Sequence, residues 1–326
     1  MESTFAYAAS PSNIEQQIVV LDKRRTAELL DFEPLVDAIA VAAAEYEDGK
    51  IHSPERMVVP LGESGVLLSM PATAADIGIH KLVNVQPANA KRSLPTIHGT
   101  VTVCETDTGK PICLLDGPEV TGRRTAAVTL LAIRTLLQKA PREVLLIGTG
   151  AQARYHVRAL HRVYPGTKIW VRGLDMAAAL EFCDACKDIH GDLAPAAQDI
   201  SALVDVVITL TTSTKAVYDE VPTAGRLVIG VGAFKPEMAE LGKTTLDGSD
   251  IYADDPAGAR HEAGDLLQAG IDWSRVHSLQ AALKGQVDRS RPFVFKSVGT
   301  AAWDLAAARV ALRALYARSE PSTASS

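Results

Sequence analysis

The stretch that most constrains this chain is Glu143–Leu160, EVLLIGTGAQARYHVRAL. A short apolar run, Val144–Ile147, leads into Gly148-Thr149-Gly150-Ala151-Gln152-Ala153, and helical spacing of apolar residues follows through Tyr155, Val157, Ala159 and Leu160. Strand, glycine turn and helix in that order form the dinucleotide-binding fingerprint. Gly148 permits the tight turn. Gly150, without a side chain, lets backbone approach a pyrophosphate, and Ala153 is small enough for the helix to pack on its strand. The helix start adds unpaired N–H groups, Ala151 and Gln152 among them, and the positive dipole end for the anion.

The surrounding pattern agrees. From 143 to 255, strand candidates Val144–Ile147, Lys168–Arg172, Val206–Leu210, Leu227–Val231 and Ile251–Ala253 alternate with helices Ala153–Val163, Ala177–Asp188 and Ile200–Val204. Alternation of this kind predicts α/β architecture with a Rossmann-like, doubly wound parallel sheet. The first 115 residues read differently. Behind a loose polar arm over residues 1–18 come a helix from Phe32 to about Gly49 and several antiparallel strands, with Asp107-Thr108-Gly109 as a hairpin turn. Thr121 is placed to cap a long helix, which sets Arg123 and Arg124 in its first turn, where cations oppose the dipole. Two such departures hint at function; the plainer reading has Arg123 solvated and Arg124 paired with a carboxylate elsewhere. Thr300–Ala317 closes the chain as a helix, and a polar tail, SEPSTASS, follows.

With 326 residues, 47% hydrophobic and 22% charged, the chain is long enough for two domains and reads as a soluble globular protein. A net charge of -6 argues against nucleic acid as a partner. No apolar run approaches the ~20 residues of a membrane helix, and the N-terminus carries no secretory signal pattern. Cys183 and Cys186 form C-x-x-C on a helical stretch with no second pair to complete a metal site, so no metal is expected, and a reducing, cytoplasmic compartment fits the other two cysteines as well. The strand end at Arg172, 24 positions after Gly148, bears no acid to accept a ribose 2′-hydroxyl; Asp175 comes three residues later. An arginine there suits a 2′-phosphate, so NADPH is favoured and NADH remains possible.

Several further motifs occur in order: GIHKLVNVQPAN (78–89), LPTIHGTV (94–101), TGKPICLLDG (108–117), VTGRRTAA (120–127), IGTGAQA (147–153), VGAFKPEMAEL (231–241), HEAGDLL (261–267) and FKSVGTAAWDLAAA (295–308). On these the chain resembles the ornithine cyclodeaminase/μ-crystallin family over nearly its whole length. The resemblance implies a homodimer. It also implies a substrate and dimerisation domain of α+β type built from residues 1–124 and 304–326, with a Rossmann-like domain at 125–303 between them. By motif position it implies that Arg56, Lys81 and Arg124 hold a substrate carboxylate, a role suited to forked guanidiniums with a lysine beside them. Thr96 and Thr125 match positions near the nicotinamide or phosphate, and Gln152, Thr211, Val231 and Ser297 match other cofactor contacts.

One departure from the family pattern matters. Cyclodeaminases and related alanine dehydrogenases carry an aspartate in a frame resembling G-x-D-x-P-x-x-x-E-L. Here the frame runs from Gly232 to Leu241 with Phe234 at that position, and Glu237 is the alternative carboxylate. A phenyl ring exchanges no proton, which fits the family's ketimine reductases better. The expectation is therefore NAD(P)H-dependent reduction of a cyclic imino acid, Δ1-pyrroline-2-carboxylate or Δ1-piperideine-2-carboxylate, with Lys81 as candidate proton donor or relay and bound water or a pre-protonated iminium as equal alternatives. A cyclodeaminase or alanine dehydrogenase-type activity and a non-catalytic nucleotide-dependent ligand binder are the rivals.

Overall fold

The computed structural model describes residues 17–197 and 204–319. The N-terminal arm, most of the helix expected over 200–204 and the C-terminal tail fall outside the described residues. In chain order the elements are β1 (Val19–Val20), α1 (Lys23–Leu29), α2 (Phe32–Glu47), β2 (Met57–Leu61), β3 (Gly65–Thr73), β4 (Ile77–Val85), β5 (Ile97–Glu105), β6 (Pro111–Asp116) and α3 (Gly117–Leu136). There follow β7 (Glu143–Ile147), α4 (Ala151–Val163), β8 (Lys168–Arg172), α5 (Met176–Cys186), β9 (Leu193–Pro195), β10 (Val206–Thr209), β11 (Thr214–Tyr218), β12 (Leu227–Gly230) and β13 (Ala239–Leu241). The chain ends with α6 (Lys243–Asp247), β14 (Asp250–Ala253), α7 (Pro256–Glu262), α8 (Gly264–Ala269), β15 (Val276–Ser278), α9 (Leu279–Leu283), β16 (Phe293–Lys296) and α10 (Ala301–Ser319).

Two main sheets result. The first has the order β1-β6-β5-β4-β3-β2 and is antiparallel except for β1 on β6. Its strands alternate. On β4, Ile77, Ile79, Lys81 and Val83 all face inward, towards α3 and α10, while His80 faces out and bonds Ser69. The second sheet is parallel throughout, with the order β15-β14-β16-β12-β10-β7-β8-β9. Every residue of β10, β12 and β16 is buried, as expected of a parallel sheet covered on both faces. The α/β reading with a doubly wound parallel sheet and a separate antiparallel sheet is therefore what the chain forms. β16 inserts between β12 and β14, so the segment after Lys296 emerges beside the end of β12.

α3 joins the two sheets and is buried along most of its length. It starts earlier than Thr121 suggests. Asp116 is its cap, accepting the Glu119 N–H at 2.7 Å, and Pro118 is tolerated within the first turn because its missing N–H would be unpaired there anyway. Arg123 and Arg124 consequently sit in the second turn, and the helix-dipole argument for them does not hold. Arg123 reaches Glu119 at 2.7 Å and lies over the Phe32 ring. The boundary drawn at residues 124 and 125 falls inside this continuous helix. Among the described residues, no helix is long and apolar enough to cross a membrane.

Candidate active site

Lys81 occupies a core position on β4 and is 2% exposed. Its Nζ donates to Asp304 Oδ2 at 2.5 Å, and Asp304 is 0% exposed in the first turn of α10, among the buried Ala301–Ala308. Arg124 Nε stands 3.3 Å from the other oxygen of the same carboxylate. That approach is not a hydrogen bond: Arg124 Nε and Asp304 Oδ1 are both buried without a partner. Arg56, in the segment leading into β2, donates through Nη2 to Glu262 Oε2 at 2.8 Å, to the Val298 carbonyl at 3.1 Å and to the Gly299 carbonyl at 2.7 Å. Gly299, at φ +77°, is also where Arg124 packs; a Cβ there would lie 2.6 Å from Arg124 Nη1. Arg56 and Arg124 thus flank Gly299, and Lys81 and Arg124 share Asp304. The three cations the sequence singles out converge.

Burial pushes the Lys81 ammonium down to about 8, with Asp304 opposing that shift and Arg124 and Arg56 adding to it. Removing a Lys–Asp pair from water costs several kcal/mol per ion, so a pair this deep is better read as chemistry than as stability. In the direct ion pairs, three cations face two carboxylates, Asp304 and Glu262, and a third carboxylate, Asp254, holds the neighbouring segment. Burial raises the Glu262 carboxyl above its ordinary value.

The segment carrying Gly299 is fixed by a single buried carboxylate. Asp254, just past β14, accepts from the Ser297 hydroxyl, from the Val298 and Gly299 N–H groups and from Trp303 Nε1, at 2.8 to 3.2 Å. Ser53 and Thr300 hydroxyls meet at 2.8 Å beside it. Sequence reasoning missed Asp304, Glu262 and Asp254. A carboxylate in an otherwise apolar helical run was a visible signal for Asp304, and Glu262 stood inside a motif already singled out.

The cofactor candidates line the carboxyl ends of the parallel strands. Gly148 has φ +119°, and a Cβ there would meet the Leu210 carbonyl at 2.7 Å. Its N–H donates to the Arg172 carbonyl at 2.8 Å, tying the turn to the end of β8. Gly150 caps α4, and a Cβ at that position would meet nothing within 4 Å. Gln152 Oε1 is buried without a partner. Ala151 is exposed at the helix start and Ala153 is buried against its strand. An open glycine turn at a helix N-terminus, with an orphaned polar atom beside it, fits a dinucleotide phosphate. β10 runs beside β7, where the strand order reverses; this switch point is where such sheets bind ligands.

Thr211 and Val231 follow β10 and β12, and Glu240 organises both ends. It accepts from the Thr211 N–H at 2.5 Å, the Gly232 N–H at 2.6 Å and the Ala233 N–H at 3.2 Å. Phe234 comes next, half-buried, whereas Glu237 is exposed. Ser297 follows β16, its N–H donating to the Gly230 carbonyl and its hydroxyl engaged by Asp254. Asp175 is occupied as the cap of α5, accepting the Ala178 N–H at 2.8 Å. Thr125 is buried on α3 next to Arg124. Thr96 is not brought to the cluster. It precedes β5, roughly 17 Å along the strand from Val101, the residue paired with Lys81. Among the described residues no group of acids, cysteines or histidines could hold a metal ion.

A parallel sheet with a glycine turn at its switch point defines a dinucleotide-binding class of protein, and here a cluster of two arginines and a lysine accompanies it. More particularly, the chain belongs to the ornithine cyclodeaminase/mu-crystallin family, whose pattern matches residues 16–317. It is 52% identical over 303 residues to the Delta(1)-pyrroline-2-carboxylate reductase 2 of Burkholderia ambifaria, covering 93% of this chain and 97% of that protein. It is also 52% identical over 302 residues to a Delta(1)-pyrroline-2-carboxylate/Delta(1)-piperideine-2-carboxylate reductase of Azospirillum brasilense, covering 92% and 97%. Among solved structures, the Delta(1)-pyrroline-2-carboxylate reductase of Thermococcus litoralis in complex with NADH and L-proline superposes with a TM-score of 0.83 at 23% identity, covering 93% of this chain and 98% of that one.

Proposed function

We propose that this protein is an NAD(P)H-dependent reductase of cyclic imino acids, converting Δ1-pyrroline-2-carboxylate to L-proline and Δ1-piperideine-2-carboxylate to L-pipecolate. The observation that carries this reading is the buried Arg56–Lys81–Arg124 cluster, joined through Gly299 and Ser297 to the carboxyl edge of the parallel sheet. Both relatives at 52% identity are named as Delta(1)-pyrroline-2-carboxylate reductases, and the Azospirillum brasilense protein also as a Delta(1)-piperideine-2-carboxylate reductase.

Arg124 and Arg56 bind the substrate carboxylate, and the fork geometry fixes the plane of the ring attached to it. Bound reduced nicotinamide supplies the hydride for C2 of the imine. Lys81 Nζ holds the proton that, given to the imine nitrogen, makes C2 electrophilic; with its proton affinity lowered towards neutrality, the ammonium is a competent acid at physiological pH. Phe234 leaves no carboxylate at the position where an amino group would be deprotonated, and exposed Glu237 does not replace it. Gly148, Gly150, Ala151, Gln152 and Ala153 hold the pyrophosphate. Thr125, Thr211, Val231 and Ser297 are further cofactor contacts, and Arg172, with Asp175 occupied as a cap, favours NADPH over NADH.

The functional unit is a homodimer, with residues 1–124 and 304–326 forming the substrate and dimerisation part around the 125–303 cofactor part. The compartment is the cytoplasm, in keeping with four cysteines that are all free thiols.

A panel of five- and six-membered cyclic imines with NADPH and with NADH, followed at the reduced-nicotinamide absorbance, tests the activity. Rapid oxidation, faster with NADPH, is expected. No turnover on any imine, or ammonia release from ornithine with NAD⁺, overturns the reading.

A further inference from the structure

The geometry points to Asp304 as a positioning residue that keeps Lys81 charged and aimed as proton donor and keeps Arg124 turned towards the substrate carboxylate. This rests on the proposed imine reduction and adds a residue to it.

An acid in the first turn suits the dipole of α10, but that role does not call for a buried carboxylate. Asp304 is fully buried in a helical turn whose neighbours are alanines, Trp303 and Leu305. An uncompensated carboxylate there would be strongly destabilising, and an apolar residue would pack without that penalty. What the carboxylate does is divide itself between two site cations. One oxygen accepts from Lys81 Nζ at 2.5 Å; the other lies 3.3 Å from Arg124 Nε without a hydrogen bond, leaving both atoms unsatisfied. An orphaned pair at that distance closes with a small rotation of the guanidinium. A ligand carboxylate on the outer nitrogens of Arg124 would bring that rotation about, so substrate binding and the hold on Lys81 run through one group.

The charges facing Lys81 show why a counter-ion is needed. From α10 comes Asp304, from α3 Arg124 and from the segment before β2 Arg56. The strand neighbours paired with Lys81, Met70 and Val101, are uncharged, and His80 lies on the opposite face of β4. Of these groups Asp304 is the one that favours the ammonium; burial and both arginines oppose it. Without Asp304, Lys81 would give up its proton at lower pH and less of it would stand ready for the imine nitrogen.

The test uses D304N, which keeps the size and an oxygen able to accept from Nζ. Two readouts are taken on the full-length protein. In the first, kcat/KM for imine reduction is measured against pH; wild type is expected to lose activity as pH rises through about 8, where Lys81 deprotonates. In D304N this falling limb should move down by about one pH unit or more, the usual effect of losing an adjacent opposite charge. In the second, Lys81 is titrated by ¹³C NMR of lysine-labelled protein without substrate, its signal assigned by its loss in K81R, and the midpoint should move in the same direction. D304E keeps the charge one methylene further out. Its falling limb should stay near that of wild type while kcat drops at least tenfold and KM changes little. Unmoved limb and midpoint in D304N, or a D304E enzyme with wild-type kcat, overturn the proposal, and D304E decides alone should D304N not fold. The NMR titration needs no turnover, so wild-type protein that reduces no imine sinks the proposed function while the role of Asp304 is still read.

Discussion

Lysine is almost never fully buried, and Lys81 is buried at a position where the alternation of β4 calls for an apolar side chain. Arg124 repeats the anomaly on α3 and Asp304 on α10. Each alone would be costly, and together they make a charged site inside the core. Arg124→Ala removes the fork and leaves Asp304 with one partner. We expect kcat/KM for the cyclic imine to fall by a hundredfold or more, about 3 kcal/mol of transition-state stabilisation, with KM raised and kcat also reduced. Full activity in this variant, measured by steady-state kinetics, would remove Arg124 from the site. At this scale the sequence was largely readable: Arg56, Lys81 and Arg124 are brought together. The carboxylates that hold them were not identified, because nothing in the local spacing of Glu262 or Asp304 says which cation it will meet more than a hundred residues away.

The glycine turn separates what the fold needs from what a ligand needs. Gly148 sits at φ +119° with the Leu210 carbonyl close by, so the backbone itself demands glycine. Gly150 has an ordinary φ of −79° and open space around it. Gly148→Ala is expected to destabilise the protein by at least about 1 kcal/mol. Gly150→Ala should leave the melting temperature nearly unchanged and weaken NADPH binding at least tenfold, because the added methyl stands where a pyrophosphate would lie. Differential scanning fluorimetry with and without NADPH checks both; unweakened binding in Gly150→Ala would contradict the assignment of the turn. β7, β8, β10, β12 and β14 were legible as short, mostly apolar runs, and Lys168–Arg172 matches to the residue, whereas the three-residue β9 and β15 were not. The start of α3 was not, because Gly117-Pro118 reads as a turn and the capping carboxylate lies before it. The insertion of β16 between β12 and β14 was also hidden. Strand order depends on where a chain returns after a long excursion, and local pattern carries no such information.

On the scale of the whole molecule, the first sheet ends in an edge strand that is apolar and open. Met57, Val58 and Val59 on β2 are 63%, 56% and 41% exposed. Leu94 and Ile97, near the start of β5, are exposed as well. A bare apolar edge invites pairing, and an exposed patch of this kind marks an interface. It is the surface through which the proposed homodimer would form. Val58→Lys is expected to shift the protein from dimer to monomer in sedimentation velocity; an unshifted dimer would place the interface elsewhere. The central claim is that a hydride reaches C2 of a cyclic imine held by Arg56, Lys81 and Arg124. It is tested most directly by reducing Δ1-pyrroline-2-carboxylate with NADPH carrying deuterium at both C4 positions and locating the label in the product by NMR. L-proline with a single deuterium at C2 is expected. Proline without label at C2, or no proline at all, would contradict it.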